Sequence, residues 1–104
     1  MTYLLIHTTC DSQSCAESII TALLETNLAA CIHQGTTTSH YVWKDKQQKA
    51  DEITLTIKTR EALWPQVEQT IRQNHTYETP EIIACPITHG HASYLNWINE
   101  VTHG

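Results

Sequence analysis

The chain has 104 residues, 40 % apolar and 16 % charged, with three Gly and three Pro. This composition fits one compact domain and excludes a disordered, collagen-like or linker-like chain. Six Lys and Arg against eleven Asp and Glu leave a net charge of −5, without the basic cluster that nucleic-acid binding or attachment to an anionic membrane requires.

Apolar runs such as Tyr3 to Ile6 fall far short of the ~20 residues of a membrane span. No basic stretch precedes that run and no small-residue cleavage site follows it, so the expected location is cytoplasmic. Tyr3-Leu4-Leu5-Ile6, within Thr2 to Thr8, predicts a central strand covered on both faces. Asp11 or Ser12 offers an N-cap. Ala16, Ile19, Ile20, Leu23 and Leu24 then fall at i, i+3, i+4, i+7 and i+8, the stripe of a helix facing a core. Asn27 suits its left-handed C-cap, with Leu28 packing back.

Ala30 to Trp43, rich in Thr, Tyr, Val and Ile, reads as one long strand bent or bulged at Gly35. Lys44 to Asp51 is polar throughout and reads as a solvated hairpin connection. Ile53, Leu55 and Ile57 alternate with Thr54, Thr56 and Lys58, the pattern of a half-buried strand. A second helix carries Leu63, Trp64, Val67 and Ile71 on one face. Pro65 must lie in its first turn, so it starts near Glu61 or Ala62 and stops around Asn74. His75 to Pro80 is a loop, Glu81 to Ile87 a fourth strand, and Thr88-His89-Gly90 a break. Tyr94, Leu95, Ile98 and Val101, widened by Trp97, mark a terminal helix.

The order β-α-β-β-α-β plus a C-terminal helix predicts an α+β ferredoxin-like sandwich of strand order 4-1-3-2, one domain over residues 1–104. That order gathers the end of strand 1 (His7 to Cys10), Trp43, Glu52, Glu81 and the helix-2 end with His75 and Tyr77 at one edge of the sheet. Cys31 and Cys85 fall at the opposite edge on the outer strands, three spacings of ~4.8 Å apart and too far for a disulfide. The four cysteines contain no C-x-x-C pair, so no zinc ribbon or thioredoxin-like motif is expected. Cys15, Cys31 and Cys85 read as small buried apolar residues. Thr54, Thr56 and Lys58 lie on a sheet face that the first two helices leave bare. That face and the long second strand predict a homotrimer in which sheet faces meet around a three-fold axis.

Leu28-Ala29-Ala30-Cys31, Tyr41-Val42-Trp43-Lys44, Ile57-Lys58-Thr59, Tyr77-Glu78-Thr79-Pro80-Glu81-Ile82 and Tyr94-Leu95-Asn96-Trp97-Ile98 together resemble the CutA proteins. The match runs in order along nearly the whole chain. The resemblance implies a ferredoxin-like subunit in a tight homotrimer, a role in divalent-cation tolerance and response to metal ion, and copper binding. It departs at Trp43-Lys44-Asp45-Lys46, where the family commonly has Trp-x-Gly-Lys. It departs again at His75-Thr76-Tyr77, where His-Pro-Tyr is common, and some members carry a second histidine at the position of Asn74.

Copper favours thiolate and imidazole, and His75, His7 and Cys10 share the strand-1 exit edge. These three are the candidate ligands for copper or another divalent cation. The exposed turn His89-Gly90-His91 is an adventitious chelator at most. Trp43, Glu52, Lys58, Tyr77 and Glu81 are candidates for an intersubunit cleft that takes a small effector, as in a PII-like signalling or scaffold trimer with an unidentified protein partner. The aromatic set Tyr41, Trp43, Tyr77, Tyr94 and Trp97 has a second reading, as core and subunit interface. Asp51 and Glu52 point to opposite faces, and neither an oxyanion-type glycine motif nor a phosphate-binding glycine loop is present, so the protein reads as a non-enzyme.

Overall fold

The computed structural model describes residues 1–103. Its elements are β1 (Tyr3–Cys10), α1 (Gln13–Glu25), β2 (Cys31–Trp43), β3 (Lys46–Arg60), a 3-10 turn (Glu61–Leu63), α2 (Trp64–Asn74), β4 (Ile83–Ile87) and α3 (Ala92–Val101). The sheet is antiparallel with order β2-β3-β1-β4, the expected 4-1-3-2 arrangement read from the other side. β1 is central. Its alternation buries Leu4, Ile6, Thr8 and Cys10 and leaves Tyr3, Leu5, His7 and Thr9 half-buried. The buried set joins Ile19 and Leu23 of α1, Leu55 and Ile57 of β3, and Val67 and Ile71 of α2 in one core. Leu24, expected in that core, is 44 % exposed: the stripe is centred on Ile19 and Leu23, and Leu24 lies beyond its edge.

Local signals explain the helix ends. Ser12 is extended and its Oγ accepts the Cys15 N–H at 3.2 Å, capping α1. At the other end Asn27 takes φ 58°, and the Leu28 and Asn27 amides donate to Leu23 O and Leu24 O. That is a Schellman turn built on asparagine. Pro65 lies in the first turn of α2, after the 3-10 turn that begins at Glu61.

The loop expected over Lys44 to Asp51 is reduced to the turn Lys44-Asp45. Both residues have positive φ, 51° and 65°, the left-handed pair that joins twisted antiparallel strands tightly. Lys46–Asp51 instead pair with Trp43–Thr38. The Lys46–Asp51 side of this ribbon is polar and largely exposed, so it carries no apolar alternation from which a strand can be read. β1 stops at Cys10 opposite Ile53. Beyond Thr37 and Glu52 the ribbon continues for six more residues on each strand, roughly 20 Å at ~3.4 Å per residue, without a third strand beside it. β4 begins at Ile83, two residues later than expected, as its ladder with β1 runs only from Ile83 to Ile87.

α3 covers part of the face opposite α1 and α2, with Ile98 fully buried and Tyr94 under the Lys58 ammonium at 5.6 Å. Arg60 ties down the helix end, donating from Nε to Thr102 Oγ1 and from Nη2 to Thr102 O, both at 2.8 Å. Register places Cys31, Lys58, Leu5 and Cys85 in one row across that same face. All four cysteines are free, but only Cys10 and Cys15 are buried: Cys31 is half-buried and Cys85 exposed. The expectation of a core Cys31 and Cys85 is therefore corrected. Their strand positions put them on the sheet face away from the main core.

Candidate metal centre

Three local features converge where β1 ends. Cys10, the last residue of β1, points between sheet and helices and is fully buried. The Ser12 cap starts α1 so that Cys15 falls in its first turn on the inward stripe, four and eight residues ahead of Ile19 and Leu23. α2 ends at Asn74, and His75 leaves it in an extended conformation. The His75 Nε2–H donates to Thr9 O at 2.7 Å, and its Nδ1 accepts the Tyr77 N–H at 3.1 Å. A ring that donates from one nitrogen and accepts at the other is a neutral imidazole of defined tautomer. The Cys10 and Cys15 sulfurs and a ring nitrogen of His75 lie within 4.8 Å of one another.

The rim is polar. Thr76 Oγ1 donates to Asp11 Oδ1 at 3.0 Å and lies 3.9 Å from Cys15 Sγ, whose thiol points to Asn74 O at 3.9 Å. Burial pushes the Cys10 thiol up from 9.0 to about 12, helped by its contact with Cys15 and by the charges of Asp11 and Glu52. Beside the cluster the Tyr77 hydroxyl donates to Glu52 Oε2 at 2.5 Å, and its ring packs against His75 with centroids 4.9 Å apart. Burial, then the Glu52 carboxylate, hold that phenol above its usual range. Thr8 Oγ1, one position back from Cys10 on the same face of β1, is buried with no hydrogen-bond partner among the described residues.

Of the expected ligand trio, Cys10 and His75 come together and His7 does not. Cys10 is three positions after His7, so the strand turns their side chains to opposite faces, and His7 Nδ1 meets Thr56 Oγ1 at 3.3 Å. Cys15 takes the third place. Cys15 is the buried core residue expected at the first inward position of an N-capped helix, and that position also sets it beside Cys10. Among the expected cleft residues, only Glu52 and Tyr77 touch. Trp43 sits at the ribbon's end, Lys58 lies six residues along β3 from Glu52, and Glu81 is exposed. His89 and His91 are exposed and outside the cluster.

Two thiols and an imidazole form a soft-to-borderline donor set, suited to copper or zinc and poor for calcium or magnesium, which His75 joins by giving up one of its two ring hydrogen bonds. No helix among the described residues is long and apolar enough to cross a membrane.

Residues 4–101 match the family model described as CutA1 divalent ion tolerance protein. The mouse protein CutA is 38 % identical over 95 residues, 90 % of this chain and 54 % of the mouse protein. The chain thus spans about half the length of that relative. The divalent-cation tolerance protein CutA of Thermus thermophilus is 36 % identical over 95 residues, covering 90 % of this chain and 92 % of its own. The crystal structure of CutA1 from the psychrotrophic bacterium Shewanella sp. SIB1 superposes with TM-score 0.93 at 39 % identity, over 98 % of this chain and 96 % of that one. The chain belongs to the CutA1 divalent ion tolerance family, a description that names tolerance and no reaction.

Proposed function

We propose that this protein is a cytoplasmic homotrimer that binds a soft or borderline cation, copper foremost, and acts in divalent-cation tolerance, with Cys10, Cys15 and His75 as its donors. The observation that carries the reading is the convergence of two thiols and one imidazole within 4.8 Å at a polar rim. Bound there, a cation would be held by sulfur and nitrogen and withdrawn from water, which is chemistry of sequestration rather than turnover. Asp11 and Glu52, whose charge disfavours a bare thiolate, favour a cation beside it. Four free cysteines suit a reducing compartment.

Assembly is supported by what the single chain leaves uncovered. Leu5, Ile83 and Cys85 share a sheet face that α1 and α2 do not reach, and Tyr41, Val42 and Trp43 are exposed on the projecting ribbon. Neighbouring subunits would bury both. Light scattering is expected to give about 35 kDa, three times 11.8 kDa, and a stable monomer at micromolar concentration overturns the trimer.

The cation reading is tested by titrating reduced, untagged protein with copper(I) and zinc(II). Cys10→Ser, Cys15→Ser and His75→Ala should each weaken binding, whereas His7→Ala and the pair His89→Ala with His91→Ala should not. If only the last pair abolishes binding, the cation belongs to the exposed turn. If no substitution changes anything, the better account is a PII-like trimer taking a small effector at a cleft that begins with the Glu52–Tyr77 contact.

A further inference from the structure

Cys10 and Cys15 are more than two adjacent donors. They are the pair of thiols in this chain placed to react with each other. Only four chain positions separate them, Asp11 to Ser14, and their sulfurs belong to the cluster that fits within 4.8 Å. Cys31 and Cys85 stand on outer strands at opposite ends of a four-strand row and cannot pair within the chain. Cys15 is in the first turn of α1, at the end of the core cluster it shares with Cys10. The polar groups between the pair and the surface are exposed Asp11 and Thr76 and half-buried His75.

We propose that this dithiol is an electron donor to cupric ion: the two thiols give one electron each to two Cu(II), leaving a Cys10–Cys15 disulfide, two Cu(I) and two protons. The inference rests on the cation-binding reading and adds a redox step to it. Sulfur loses the electrons, copper gains them, and the protons go to solvent. Cupric ion is the oxidant, and the Cu(I) formed leaves the pair, because the disulfide keeps no thiolate to hold it. A cation held by both sulfurs displaces their protons, and one that also accepts electrons oxidises the pair. Once the disulfide forms, two of the three donors are gone and His75 alone remains. Oxidation therefore ends cation retention until a dithiol reductant restores the pair.

The test uses the Cys31→Ser/Cys85→Ser variant, which keeps the core intact and leaves Cys10 and Cys15 as its only thiols. Reduced protein is titrated anaerobically with Cu(II) in the presence of a chromogenic Cu(I) chelator, while free thiols are counted in parallel. Two Cu(I) per chain and complete loss of thiol are expected. Cleavage on the N-terminal side of Asp11 should then release residues 1–10 disulfide-linked to the following fragment, separable by dithiothreitol. Zinc(II), which has no redox chemistry, is titrated separately before and after copper treatment, and its binding should vanish on oxidation and return on reduction. Zinc binding without Cu(I) formation overturns the redox step and leaves the cation site standing. Cu(I) formation with the linked fragments but no zinc binding keeps the redox step and removes the resident-site reading. Neither signal, or thiol loss with disulfides only between chains, overturns the redox step.

Discussion

His75→Ala is the perturbation that most directly probes how the candidate centre is built. The ring holds the end of β1 to the loop after α2 by donating to Thr9 O at 2.7 Å, and within that loop it accepts the Tyr77 N–H at 3.1 Å. It also packs on the Tyr77 ring at 4.9 Å. Each hydrogen bond is worth ~0.5–1.5 kcal/mol net and the ring contact ~0.5–1.5 kcal/mol beyond area. Alanine should therefore cost about 2–4 kcal/mol, the groups it frees being near enough to the surface to recover some solvation. The assay is urea unfolding at one fixed protein concentration, because subunit association is linked to stability. The midpoint should fall with the slope unchanged, and His89→Ala, at an exposed turn, should move neither. A loss under about 0.5 kcal/mol would show that the ring does not anchor this loop. The imidazole would then not be held in place for a cation.

Leu23→Ala should cost ~2–5 kcal/mol through lost burial and a cavity, since Leu23 is fully buried, while Leu24→Ala at a 44 % exposed position should stay within ~0.5 kcal/mol; equal losses would put the helix stripe elsewhere. Tyr77→Phe leaves the buried Glu52 carboxylate without its phenol donor and should destabilise by ~1–3 kcal/mol, with Glu52→Gln recovering part of that loss in the double variant. Stability should also fall in alkali. The fold raises the Cys10 thiol from 9.0 to about 12 and raises the Tyr77 phenol, so the folded state holds these protons more tightly than the unfolded one. Their contribution is complete below pH 9 and is lost as pH climbs toward 12, which thermal melts across that range will register.

Much of the fold is legible because its signals are local and redundant. Ser12, Asn27 and Pro65 each fix a helix end by a chemistry that few residues share, and Ile53, Leu55 and Ile57 announce a strand by parity. The ribbon from Lys46 to Asp51 is not legible for an equally physical reason. Alternation records burial, and a strand whose two faces both meet solvent within its own subunit has none to record. Its exposed Tyr41, Val42 and Trp43 make sense against a neighbouring chain, which a single-chain pattern does not contain. The turn there hides itself too, because Lys44 and Asp45 hold left-handed conformations without the glycine that usually marks them.

The candidate centre was half legible, and the missing half follows from one distinction. Strand order decides which residues reach the same edge of a sheet, whereas parity along each strand decides which face they take. His7, Cys10 and His75 satisfy the first condition, but His7 and Cys10 are an odd number of residues apart and fail the second. Cys15 satisfies both, because an N-capped helix that follows β1 closely turns its first inward position onto the face where Cys10 points. The same test separates the cleft candidates: Glu52 and Tyr77 meet at the sheet's end, and Lys58, on the same strand as Glu52, lies at the other end under α3. Edge and parity together therefore bring Cys10, Cys15 and His75 to one place. In that trio only the sulfurs carry removable electrons, so the proposed redox step would draw on two of the three proposed cation donors.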